Sequence, residues 1–193
     1  MNTTTTFTQN INIAQCNTES KKTTTTKSAD NGNTSIKQMV TNLQNLQNQL
    51  WLNPNSSNNN LDSSTEAIYL VNEENTADQQ PPILRPFFKK IISLGDFSEE
   101  ILILGYILCE RFLCKTGLNG KVNLQKIFSI ATFIAQKMLN DMELWYVPEF
   151  SIIFGIKETE LKEIEFQFAE ILDFNLNVSQ EEYRFYISQL IKA

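Results

Sequence analysis

The sequence has no histidine, and so lacks the side chain that most often serves as general acid, general base or metal ligand near neutral pH. Glycine-rich phosphate loops, a GxSxG elbow and CxxC pairs are also missing. A nucleophile would have to be Cys109 or Glu165 with no imidazole to activate it, so an enzyme is not expected, and no metal or other cofactor is implied. Cysteine is scarce: of the three, Cys109 and Cys114 fall inside a strongly apolar stretch, which predicts buried free thiols in a reducing compartment, cytoplasmic and/or nuclear. Positive charge is short as well, with 16 Lys and Arg against 22 Asp and Glu for a net charge of −6, and no Lys/Arg stripe breaks the pattern. Nucleic acid is therefore a poor partner. The longest apolar run, Ile101 to Cys109, is about half what a bilayer span needs, and the opening Met-Asn-Thr-Thr carries no signal-peptide core, so no membrane association is expected.

What is present falls into two parts. Residues 1–80 are dominated by Thr, Asn, Gln and Ser and cannot bury enough apolar surface to offset the entropy of ordering, which predicts a mostly disordered tail. One stretch differs. Between 34 and 52, Ile36, Met39, Leu43, Leu46 and Leu50 fall at a/d spacing over two heptads, with Thr34 or Ser35 as caps, which predicts an amphipathic helix. Two heptads are too few to stand alone, so this segment reads either as a docking helix for a second protein partner or as a helix formed only transiently.

From residue 81 to 193 the chain turns to apolar blocks of helical length separated by short breaks at Gly95-Asp96, 117–120, Val147-Pro148 and Gly155. Five helices are predicted, at 84–94, 98–114, 123–143, 148–154 and 158–172, then an extended exit over 173–178 and a flanking helix at 179–191. Ser98 followed by Glu99 and Glu100 marks a capped start for the second, and Pro148 suits the first turn of the fourth. The second and third are apolar nearly all round, so other helices must enclose them, and Ala131 with Ala135 offers a neighbour close approach. The fold class is all-α.

Two charges sit where a core helix would not place them. Glu165 lies on the stripe of Leu161, Ile164, Phe168 and Leu172, and Lys137 follows Phe133 and Ile134 to the end of the third helix. Periodicity leaves two readings: separate stems covering apolar surface with wet charged ends, or an ion pair that relieves a partly desolvated carboxylate.

These residues also bring a family into view. Tyr106-Ile-Leu-Cys-Glu-Arg-Phe-Leu113 resembles the "YIDRFL" helix of the cyclin box, and Ile134-Ala-Gln-Lys-Met-Leu-Asn-Asp141 resembles its "ASKFLDD". Gly155-Ile-Lys-Glu-Thr-Glu-Leu161 with Ile164-Glu165 looks like the start of the fifth box helix, and Leu172-Asp-Phe-Asn-Leu-Asn-Val178 with Glu182-Tyr183 is similar to "LDFxLxVSxEEY". Four pieces in order over residues 83–190 resemble a single cyclin box of the PHO80-like, cyclin P/U kind. The resemblance implies a five-helix box and a regulatory, non-catalytic subunit that binds and activates a cyclin-dependent protein kinase by positioning its αC helix. It also implies that Lys137 and Glu165 contact that kinase, with Ile134, Met138, Ala169, Phe174 and Leu176 around them, and that Glu110 pairs with Arg85 as a structural ion pair. Departures from the family pattern are Glu110 in place of Asp, Gln136 in place of a small Ser, Met138 in place of an aromatic, and a brief fourth helix. The alternative is a cyclin-fold scaffold that holds a larger assembly together without activating a kinase.

Overall fold

The computed structural model describes residues 32–52, 81–94, 97–117, 122–139 and 146–192. Its elements are all helices: α1 (Gly32–Leu52), α2 (Leu84–Leu94), α3 (Glu99–Thr116), α4 (Leu124–Leu139), α5 (Tyr146–Phe154), α6 (Glu158–Ile171) and α7 (Gln180–Lys192). The all-α class is the one observed, with α2 to α6 forming the five-helix box and α1 and α7 flanking it. The expected disorder of the remaining N-terminal tail, the continuation of the third helix beyond 139, and Cys16 lie outside the described residues.

The helix ends follow local chemistry. Ser98 takes extended backbone angles and its hydroxyl accepts from the Ile101 N–H at 3.3 Å, while Glu99 and Glu100 place negative charge at the positive end of α3. At the other end Gly117 adopts φ 59°, the left-handed value that costs glycine least, and its N–H reaches the Leu113 carbonyl at 3.0 Å. Asn123 caps α4 by accepting from the Lys126 N–H, and Ser179 caps α7 by accepting from the Glu182 N–H.

Burial organises these helices around α3 and α4, which pack on each other over most of their length. Leu102, Ile103, Ile107 and Leu108 of α3 meet Ile127, Ile130, Ala131 and Ala135 of α4 in one core. Phe88 of α2 sets its ring edge against Phe128 at 4.8 Å, and Phe112 stacks on Phe168 of α6 at 4.6 Å. A second, smaller cluster of Phe133, Val147, Phe150, Ile156 and Leu161 fixes α5 under the end of α4. Ala131 and Ala135 are fully buried as expected, but the tightest approach of the two central helices is at Gly105, where an added Cβ would stand 2.6 Å from Thr132 Oγ1. Cys109 is buried and burial pushes its thiol up, so it stays protonated; Cys114, also expected inside, is exposed because it falls on the outer face of the last turn of α3.

The helix α1 is not a detached docking segment. Met39, Leu43 and Leu50 are fully buried in the same core as the box, and α1 packs on α2, α3 and, most extensively, α7. Its apolar stripe, read as a seam for a second protein, is thus used within its own chain. Two glutamines anchor it. Gln47, fully buried, donates to the Val122 carbonyl at 2.7 Å and accepts from the Leu124 N–H at 3.1 Å, satisfying the start of α4. Gln44 does the same for α2, donating to the Pro82 carbonyl and accepting from the Leu84 N–H at 2.7 Å. Ser35, at the other end of α1, donates to the Glu99 carboxylate.

Candidate functional site

Lys137 occupies the last turn of α4, where its charge complements the helix dipole, and Glu165 lies midway along α6, which packs against α4. The two side chains meet across that seam, Lys137 Nζ to Glu165 Oε1 at 2.5 Å, with 52 % of the lysine and 24 % of the glutamate side chain exposed. Of the two readings left open by periodicity, the paired one is the arrangement found. Lys137 Nζ also lies 5.3 Å from the centre of the Phe133 ring, so the lysine is held from below by an aromatic face and from the side by a carboxylate. An exposed pair of this kind adds under about 1 kcal/mol to a fold.

The apolar residues expected around the pair divide into two sorts. Met138, next in the chain to Lys137, and Phe174, just past the end of α6, are exposed, at 42 % and 61 %; Leu176 is half-buried. Ile134 and Ala169 are buried, so they can form only the floor beneath the pair. Sequence reasoning passed over Phe166, whose ring is 60 % exposed and stands edge-on to Phe174 at 6.1 Å. The signal was available: an aromatic residue off the apolar stripe of α6, directly after Glu165.

Phe174 owes its position to the end of α6. The Phe174 N–H reaches back to the Ala169 carbonyl and the Asp173 N–H to the Glu170 carbonyl, each at 2.8 Å, the paired bonds of a Schellman turn. Asp173 and Phe174 take φ 53° and 55°, left-handed values that disfavour any residue with a Cβ. Residues 172–174 therefore form a turn, and the extended exit begins at 175 rather than 173. The strain leaves a large aromatic ring exposed at the end of α6, edge-on to Phe166.

The other pair expected from the resemblance is not formed. Arg85 is exposed on α2, whereas Glu110 is half-buried on α3 and its carboxylate accepts from the hydroxyls of Tyr106 and of Tyr186 on α7. Tyr106 is in turn hydrogen-bonded with Asn42 of α1, so this polar cluster ties α1, α3 and α7 together. The arginine that cross-links the box is the next residue, Arg111. It donates to Glu182 at 2.6 Å and to the carbonyls of Asn175 and Asn177, fastening the exit segment and α7 to α3.

Burial pushes the Glu110 carboxyl above the ordinary carboxylate range, an effect its tyrosine donors offset only in part. A raised folded-state value means that the native protein holds this proton more tightly than the unfolded chain. The contribution is favourable below the unfolded value and is lost as pH rises through the folded one. Glu110→Gln should therefore raise the melting temperature at pH 8, with the gain vanishing below about pH 4, in thermal melts followed by circular dichroism.

Among the described residues no group of His, Cys, Asp and Glu is placed to hold a metal ion, and no helix is long and apolar enough to cross a membrane. A family model described as "Cyclin, N-terminal domain" matches residues 52–177. Cyclin-U4-2 of Arabidopsis thaliana is 25 % identical over 109 residues, covering 55 % of this chain and 50 % of its own length. Cyclin-P2-1 of Oryza sativa subsp. japonica is 23 % identical over 108 residues, with 55 % and 49 % covered. The chain thus spans about half the length of the curated relatives it matches. The match runs from the last residue of α1 through α6 to the exit segment, so it takes in the whole five-helix box, and the chain belongs to the cyclin family.

Proposed function

We propose that the protein is the regulatory subunit of a cyclin-dependent protein kinase and docks on it through the surface around Lys137 and Glu165. The observation that carries this reading is the pair itself: a cross-helix ion pair left partly exposed, with its chain neighbours Met138 and Phe166 exposed as well and Phe174 edge-on to Phe166. A fold gains little from such a pair in water. A partner that covers it gains more, because charges on a desolvated surface act through a lower dielectric and fix the register of the contact. Exposed aromatic residues beside a charged centre supply the apolar anchor area that interfaces of this kind use.

The chain does no chemistry in this scheme. It binds the kinase conformation in which the αC glutamate pairs with the strand lysine, and so raises the population of that state. Taking a kinase from mostly inactive to mostly active requires roughly 5 kcal/mol of differential affinity. The two relatives above are themselves named as cyclins, which agrees with this role.

The test is capture from native extract by wild-type protein and by the Lys137→Ala/Glu165→Ala double variant, followed by identification and assay of bound kinases. Wild type should recover an active cyclin-dependent kinase and the double variant at least about tenfold less of it, with its own melting curve nearly unchanged. Recovery of one and the same non-kinase assembly by both proteins would assign the fold to scaffolding instead.

A further inference from the structure

A groove of about 740 Å³ runs between α1 and α2, on helices that do not carry the Lys137–Glu165 pair. Ile36 and Val40, one turn apart on α1, face Phe88 and Ile92, one turn apart on α2, so the lining has an apolar side from both walls. Ile92 is 52 % exposed there. The charged residues that line it are all cations: Lys37 on the α1 wall and, one turn apart on the α2 wall, Arg85 and Lys89. Among the described residues none of these three is in an ion pair, on a chain whose net charge is −6. The groove-lining residues of α1 lie outside the stretch matched by the family model, whereas those of α2 lie inside it.

We propose that this groove docks an acidic amphipathic helix of a partner protein. Two packed helices present a furrow into which a third helix fits along its length, and apolar side chains at i and i+4 on both walls match the spacing of one helical stripe. The three cations set the flanks of that stripe as Asp or Glu, since lysine or arginine there would meet like charge. A polyanion without an apolar face would leave Ile36, Val40 and Ile92 wet, which argues against nucleic acid. The site is separate from the kinase-docking surface and does not rest on it.

The probe is a fluorescein-labelled peptide of about sixteen residues with leucine at i, i+3, i+4 and i+7 and glutamate on the flanking positions, titrated into the full chain by anisotropy. Binding should weaken at least about tenfold in Lys37→Glu/Arg85→Glu/Lys89→Glu, three exposed positions, and between about 50 and 300 mM salt. It should be unchanged in Lys137→Ala/Glu165→Ala, and amide shifts on binding should map to α1 and α2. No binding, or binding that survives the charge reversals or a lysine-flanked peptide equally well, overturns the proposal. Tighter binding after deletion of residues 61–78, which carry Asp62, Glu66, Glu73, Glu74 and Asp78, would assign the groove to the chain's own acidic stretch and also overturn it. So would a dimer in sedimentation that dissociates in the charge-reversed variant.

Discussion

Gly105→Ala lowers the stability of this protein by about 2 kcal/mol, although alanine in a helix interior is ordinarily worth about 1 kcal/mol over glycine. The reason is the seam between α3 and α4. An alanine Cβ would stand 2.6 Å from Thr132 Oγ1, and the Thr132 Cα and N are only 3.0 and 3.2 Å away. The hydroxyl could turn aside only by giving up its bond to the Phe128 carbonyl, but the backbone atoms of Thr132 cannot, so the two central helices must part. Every layer of the core is hung on that pair, which is why one methyl group is felt. Urea unfolding should show a lower midpoint with an unchanged slope. Thr132→Ala should restore part of the loss in the Gly105→Ala background, because it removes the hydroxyl clash and leaves the backbone one. A Gly105→Ala protein as stable as wild type would mean that α3 and α4 are farther apart than described here.

Gln47→Leu is the second large effect, with an expected cost of about 3 kcal/mol. The substitution keeps the volume and the apolar environment but removes both of the amide's bonds, leaving the Leu124 N–H and one lobe of the Val122 carbonyl buried with fewer partners. Because Gln47 joins α1 to the start of α4, the loss should appear first as release of α1. Limited proteolysis should then cut within 32–52 before the box, whereas wild type is cut there only on global unfolding. Gln44→Leu, whose amide is less deeply buried, should cost less. If Gln47→Leu leaves both melting and proteolysis unchanged, α1 is not held as described.

The contrast between these two glutamines and the charged pair shows which parts of the structure periodicity can reach. Caps such as Ser98, the all-round burial of α3 and α4, and the misplaced charges Lys137 and Glu165 are written into single helices, and each was legible. Gln44 and Gln47 carry no such signal, because nothing within 34–52 says that backbone groups of Leu84 and Leu124 will come to meet them. The expected pairing of Arg85 with Glu110 fails for a similar reason. The actual partners are Tyr106, one turn away on the same helix, and Tyr186, far along the chain, while the cross-linking arginine is Arg111. Phe174 is exposed, and its left-handed backbone is hidden from sequence reading, since Asp-Phe carries no glycine to announce a turn.

The central claim is that the surface around Lys137 and Glu165 meets a kinase, and hydrogen exchange tests it most directly. The kinase recovered by capture is added to the intact protein and amide protection is compared with the free chain. Residues 134–139 and 165–176 should gain protection on binding while α1 and α7 remain as they were. Protection gained only on α1, α2 or α7, with 134–139 and 165–176 unchanged, would contradict the claim.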